Sequence, residues 1–142
     1  REMSQGQAAL RTRFDGKRVL LVEDNALNLE IAQAILEEMG FRVDTATDGD
    51  EAVQTLRSSA PGTYDAVLMD IMMPRMNGLE ATHLIRGTPE RADLRKLPIL
   101  AMSANAFAED VKKSLEAGMN CHLSKPIELD KLVEALNRVL GG

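Results

Sequence analysis

The chain has 142 residues, 44% of them hydrophobic and 27% charged, enough for one domain of ordinary size with a single buried core. A net charge of −5 with no long basic stretch argues against direct binding of nucleic acid, and 3% aromatic residues with no Trp leave no stacking platform for bases. No apolar run approaches the roughly 18 residues that span a bilayer, no signal peptide is visible, and Cys121 is the single cysteine, so the expectation is a cytoplasmic α/β domain without internal disulfide or membrane contact.

Residues 1–16 are polar with no compact apolar pattern and read as an N-terminal linker or extension without a core role; residues 17–142 form the domain. From Lys17 onward a strand-then-helix rhythm repeats five times. A first strand is predicted over 18–22, ending at Glu23 and Asp24, and a helix follows over 26–39. On that helix Asn28, Ala32, Ile35 and Met39 make the stripe expected to face the sheet, with Leu36 near its edge. Leu27, Ile31 and Ala34 fall on a neighbouring stripe, and Gly40 suits a left-handed helix end. A second strand over 42–45 leads, with Thr47 or Asp48 as cap, into a helix over 49–58. The third strand, 66–69, runs into Asp70, and Asn77-Gly78 marks the turn into a helix over 78–86. The fourth, 99–102, ends at Ser103 and precedes a helix over 106–117 closed by Gly118. The fifth, 121–123, stops at Lys125-Pro126, and a last helix covers 129–140. Strands this short and rich in Val, Ile and Leu, alternating with helices, imply a parallel sheet covered on both faces with right-handed crossovers.

Glu23-Asp24, Asp70, Ser103 and Lys125 therefore stand at the C-terminal edges of four strands, where a parallel sheet gathers its ligand crevice. Like charges at about 4 Å repel by roughly 4 kcal/mol at an effective dielectric of about 20, so clustered carboxylates persist only when a cation neutralises them or some are protonated. Oxygen donors with no His or Cys beside them suit Mg²⁺. Such an ion offsets the charge of an incoming phosphoryl group and leaves a carboxylate oxygen able to attack phosphorus. Lys125, biased to extended backbone by Pro126, can pair Asp70 at rest and a phosphoryl oxygen afterwards, and Ser103 offers a hydroxyl to the same oxygens. Cys121 reads as a small buried hydrophobe and His83 as a surface residue.

VLLVEDNALN, YDAVLMDIMMPRMNG, ILAMSAN and LSKP, in this order over about residues 17–140, resemble the receiver domain of two-component response regulators. The form VEDNALN, and the lack of an output domain in the chain, favour the receiver of a hybrid histidine kinase, with a free-standing receiver as the alternative. The resemblance implies a flavodoxin-like, doubly wound five-stranded parallel sheet of order 2-1-3-4-5 with five helices in a three-layer sandwich. It implies that Asp70 accepts a phosphoryl group from a phosphohistidine, with Lys125 and Ser103 completing the catalytic set. Asp24, Asp70 and the Met72 carbonyl would ligate Mg²⁺, Glu23 would act through water, and the amides of Met72 and Ala104 would meet the phosphoryl oxygens. The resemblance further implies that Met72 and Asn105, which flank the acceptor, would tune water access and phosphoryl lifetime.

The resemblance also implies a switch in which Ser103 moves together with an aromatic side chain three positions before the lysine. Here that position is His122, an imidazole able to swing inward and to change charge near neutral pH, so a pH-dependent switch is expected. Leu27, Ile31, Ala34 and Pro126 form the expected docking surface for the dimerisation bundle of a histidine kinase or a histidine phosphotransfer protein. A hybrid parent, itself a histidine kinase and commonly membrane-anchored, would carry this domain in the cytoplasm. No conventional turnover is expected beyond self-catalysed phosphotransfer and slow dephosphorylation. Two rivals remain: an aspartate-nucleophile phosphatase, which needs a second acid where Met72 stands, and a docking-only pseudo-receiver, which has no use for an intact acceptor, metal pair, hydroxyl and lysine.

Overall fold

The computed structural model describes residues 14–73, 75–104, 108–125 and 127–140, with backbone alone at 108–110. Asn105, Pro126 and residues 1–13 of the N-terminal extension lie outside the described residues. Five strands, β1 (Arg18–Val22), β2 (Arg42–Ala46), β3 (Ala66–Asp70), β4 (Ile99–Ser103) and β5 (Cys121–Ser124), pair in parallel in the order β2-β1-β3-β4-β5. The helices are α1 (Ala26–Glu38), α2 (Gly49–Ser58), α3 (Gly78–Arg86), α4 (Ala92–Lys96), α5 (Ala108–Ala117) and α6 (Leu129–Val139).

Successive strand residues point to opposite faces, and here both faces are apolar. Val19, Leu21, Leu68 and Leu100 meet Leu36 of α1 and Leu132 and Leu136 of α6. Leu20, Val22, Val67 and Ile99 meet Val53 and Leu56 of α2 and Ile85 of α3. The result is the three-layer, flavodoxin-like sandwich that the strand pattern requires. Caps set the helix starts. The Asn25 side chain accepts from the Asn28 amide at 3.0 Å, and Asp48 accepts from the Glu51 amide at 2.8 Å. Asn77 and Glu80 exchange hydrogen bonds as a capping box at α3. Gly40 and Gly118 take φ values of 100° and 106°, as left-handed helix ends demand. No helix among the described residues is long and apolar enough to cross a membrane.

Four expectations need correction. The described residues hold six helices rather than five, because α4 is a single turn with one buried apolar residue, Leu94, too short to leave a periodic pattern. The polar N-terminal segment does reach the core: Phe14 is 1% exposed and stacks on Phe41 with ring centroids 5.0 Å apart. A lone aromatic in a polar stretch has no periodicity, and its partner lies in the turn before β2. On α1 and its C-cap the inward stripe is Ala32, Ile35, Leu36 and Met39, with Leu36 fully buried at its centre rather than at its edge, while Asn28 is exposed. Finally, β2, β3, β4 and β5 each run one residue further than predicted, so Asp70 and Ser103 are the terminal rungs of the ladder, opposite Met102 and Ser124.

Gly78 opens α3 directly beneath Asp70. A Cβ there would meet the Asp70 carbonyl oxygen at 2.5 Å and Ile71 Cα at 3.0 Å, both backbone atoms with little freedom to yield. Gly78→Ala is therefore expected to destabilise the domain by about 1–3 kcal/mol, as overpacking does, against the small gain that alanine usually brings to a helix. Urea unfolding measures it, and a variant as stable as wild type would contradict the close approach.

Candidate functional site

β1 and β3 are neighbours whose following helices leave on opposite faces of the sheet, which opens a crevice at their C-terminal ends. Glu23 directly follows β1, its amide held by the Ala46 carbonyl at 3.0 Å, and Asp70 is the last residue of β3. Both are nearly excluded from solvent, at 2% and 3% exposure, while Asp24 is exposed. One carboxylate oxygen from each of Glu23, Asp24 and Asp70 lies within 4.8 Å of the other two.

From the end of β5, Lys125 reaches into this cluster. Its Nζ donates to both Glu23 oxygens, at 3.0 and 2.9 Å, and to Asp70 Oδ2 at 2.9 Å. The other Asp70 oxygen, Oδ1, accepts from the Met72 amide at 3.1 Å. The backbone sets up this reach, since the Lys125 amide is tied to the Ser103 carbonyl at 2.8 Å. The pairing with Asp70 was legible in the sequence, but the two-pronged grip on Glu23 was not.

One ammonium does not neutralise three carboxylates. Burial pushes the Glu23 carboxyl up to about 7, and the neighbouring Asp70 carboxylate adds to the effect against the opposing pull of Lys125 and Asn28. Burial alone would lower Lys125, but its hydrogen bonds and charge pairing with Asp70 and Glu23 outweigh it and hold the ammonium above its usual range. The cluster thus has a residual negative charge and only oxygen donors close together. It fits a hard divalent cation bound directly or through its waters.

Ser103, 5% exposed, ends the strand beside Asp70, and Ala104 follows at an exposed bend. The imidazole of His122 already points inward: its Nε2 lies 2.8 Å from Ser103 Oγ and its Nδ1 3.0 Å from Ser114 Oγ on α5. Ser114, 0% exposed, was missed in the sequence. The usable hint was a serine one helical turn after Val111 and four residues before Gly118, on the inward stripe of α5, where a hydroxyl needs a buried partner. Also unforeseen, Arg75 takes a φ of 65° in the loop after β3 and pairs with Asp48. The Glu51 amide and then Arg75 hold the Asp48 carboxyl below its ordinary range.

Leu27 and Ile31 of α1 are 64% and 52% exposed, with Ala34 on the same exposed surface. Beside them lies a cleft of about 100 Å³ whose walls include Ile31, Ile35 and Met102 together with Glu23 and Lys125. Apolar surface and the acidic site are therefore continuous. Met72, whose amide meets Asp70 Oδ1, is 72% exposed.

Residues 19–137 match the response regulator receiver domain family. The chain belongs to this family, and it is a phosphorylation-based signalling switch of the two-component type. Its relatives are more particular. Probable histidine kinase 2 of Oryza sativa subsp. indica is 39% identical over 140 residues, covering 91% of this chain and 13% of that protein. Sensor protein GacS of Pseudomonas syringae pv. syringae is 38% identical over 124 residues, covering 87% of this chain and 13% of that one. The chain thus spans only about an eighth of the length of these kinases. Among solved structures, the receiver domain of a sensor histidine kinase from Pseudomonas aeruginosa PAO1 is 38% identical and superposes with a TM-score of 0.79 over 89% of this chain and 99% of that one. That relative holds a magnesium ion in its active-site cleft.

Proposed function

We propose that Asp70 accepts a phosphoryl group from a phosphohistidine, and that the resulting acyl phosphate is either relayed onward or shifts the domain to a second conformation. The strongest support is the grip of Lys125 on a buried aspartate whose other oxygen faces a backbone amide, because both donors are ready for phosphoryl oxygens. Asp24, Asp70 and the Met72 carbonyl would hold Mg²⁺, with Glu23 acting through water. When bound, the ion supplies positive charge against the phosphoryl oxygens and the carboxylates.

One Asp70 carboxylate oxygen attacks phosphorus. The new O–P bond forms as the N–P bond of the donor imidazole breaks, and the electron pair returns to that nitrogen. Lys125 moves its hydrogen bond from the Asp70 carboxylate to a phosphoryl oxygen, where its charge is needed most. Ser103 donates to another phosphoryl oxygen, and the amides of Met72 and Ala104 complete the cradle. Met72 places no acid near a leaving group, which disfavours turnover as a phosphatase.

Intact mass after incubation with acetyl phosphate and Mg²⁺ tests the proposal. A single adduct of about 80 Da, absent when EDTA is added, is the expected result. Absence of any adduct in the presence of Mg²⁺ would contradict a self-catalysed acceptor and favour a docking-only domain.

For partners, we assign Leu27, Ile31 and Ala34, with Pro126, as the docking face for the helical bundle that donates or receives the phosphoryl group, either a kinase dimerisation bundle or a phosphotransfer protein. The apolar cleft leading from Ile31 to Glu23 and Lys125 supports this, since a bundle seated on α1 brings its histidine to the acidic edge. The domain would work in the cytoplasm, where such kinases use ATP. Ile31→Glu is expected to slow transfer from a phosphorylated bundle by about tenfold or more, as loss of an interface anchor does, while uptake from acetyl phosphate stays unchanged. Equal slowing with both donors would show that Ile31 serves the fold and not a partner.

A further inference from the structure

We infer that Arg75 and Asp48 are positioning residues: they strap the loop after β3 to the start of α2 and so place the Met72 backbone for Asp70 and its metal, an inference that rests on the acceptor role of Asp70 proposed above. Both ends of the loop are tied. The Ile71 amide donates to the Met102 carbonyl at 2.9 Å, and the Gly78 amide donates back to the Ile71 carbonyl at 2.9 Å. Between these ties lies Met72, whose amide donates to Asp70 Oδ1 at 3.1 Å and whose carbonyl would ligate Mg²⁺. The backbone of one residue thus serves the acceptor and the metal together.

The far side of the loop is held from α2. Arg75 pairs with Asp48, the one ion pair that the loop makes among the described residues. Asp48 is 6% exposed and both its oxygens are committed. Oδ1 accepts from the Glu51 amide at 2.8 Å and caps α2, while Oδ2 accepts from Arg75. Beside this pair the loop comes so close to α2 that a Cβ on Gly49 would stand 2.6 Å from the Met76 carbonyl oxygen. Val53 and Leu56 pack α2 against the sheet, so the anchor itself is rigid.

Arg75 holds a left-handed backbone with φ of 65°, which a residue bearing a side chain adopts only at a cost. A charge-assisted hydrogen bond to a buried carboxylate is the contact that offsets it. Because the Arg75 side chain is 78% exposed, the pair adds little to global stability, and its effect falls on where the loop sits. Metal ligation and phosphoryl contact both depend on placement to within about 0.5 Å, so a loop released at Arg75 weakens both without unfolding the domain. The fields of the two charges would act differently. Loss of the Arg75 charge would by field alone favour a bound cation, and loss of the Asp48 charge would disfavour it. The strap requires that both losses weaken the metal.

The test titrates Mg²⁺ alone into the full ¹⁵N-labelled chain and follows the Met72 amide resonance, in wild type, Arg75→Ala, Arg75→Lys and Asp48→Asn, the last of which keeps a side-chain cap on α2. Arg75→Ala and Asp48→Asn are each expected to weaken Mg²⁺ by about threefold or more. Both are also expected to speed exchange of the Met72 amide in EDTA by about the same factor, with urea stability near wild type. Arg75→Lys, which keeps the charge, is expected to restore most of the affinity. Unchanged affinity in both variants, or tighter binding in Arg75→Ala with weaker binding in Asp48→Asn, overturns the strap and leaves the acceptor role of Asp70 standing. A wild type that binds Mg²⁺ but takes no phosphoryl group from acetyl phosphate overturns the acceptor role, and with it the strap as a device of phosphoryl transfer.

Discussion

Asp70→Asn is expected to take up no phosphoryl group from acetyl phosphate or from a phosphorylated histidine bundle, a loss of at least about three orders of magnitude in rate. The amide that replaces the carboxylate is a poor nucleophile, and no other group occupies its place. Asp24 is exposed and Glu23 is already held through both oxygens by Lys125. The variant is also expected to fold well. Removing one of two buried carboxylates relieves part of the repulsion that raises Glu23, and Lys125 keeps Glu23 as its partner. Intact mass and urea unfolding read the two effects separately. An adduct of wild-type yield on Asp70→Asn would remove Asp70 from the centre of the account.

The metal-free domain is expected to lose stability as pH rises from about 4.5 to about 7, the reverse of an ordinary salt-bridged carboxylate. Glu23 has its folded value raised, chiefly by burial, so the native state holds that proton more tightly than the unfolded chain does. Below about 4.5 both states are protonated and no penalty exists; above about 7 both have released the proton and the penalty is complete. A shift from 4.5 to about 7 corresponds to something on the order of 3 kcal/mol. Asp48, held low by the Glu51 amide and Arg75, titrates below this window and does not obscure it. Urea unfolding in EDTA at pH 5 and pH 8 measures the loss, and Glu23→Gln should flatten the Glu23 contribution. Mg²⁺ should recover more stability at pH 8 than at pH 5, because Glu23 adds its charge to the site only at the higher pH. Stability that rises with pH in EDTA, equally in wild type and Glu23→Gln, would contradict this electrostatic picture.

The sheet was legible because its strands are continuous apolar runs, and the acidic edge was legible because each run ends on a residue that has no business in a core. Topology followed from the resemblance, since periodicity alone does not order strands. Phe14 and α4 escaped for a shared reason: one buried apolar residue in a polar stretch makes no pattern until its partner is known. On α1 the spacing places Leu27 and Ile31 outside and Ala32 and Ile35 inside, as the structure has them, whereas Leu36 moves from the edge of the stripe to its buried centre and Asn28 stands exposed. Side-chain networks were the least legible. Glu23–Lys125 and Ser103–His122–Ser114 join residues distant in the chain, and the inward place of Ser114 on α5 hints at a buried partner without saying which.

The acyl phosphate itself gives the most direct test. Borohydride reduces an aspartyl phosphate to homoserine and leaves free carboxylates untouched, so peptide mapping after phosphorylation and reduction marks the acceptor. Homoserine at position 70 alone, in wild type and not in Asp70→Asn, is the predicted result. Homoserine at Asp24 or Glu23, or phosphate retained on His83 or a serine, would contradict it.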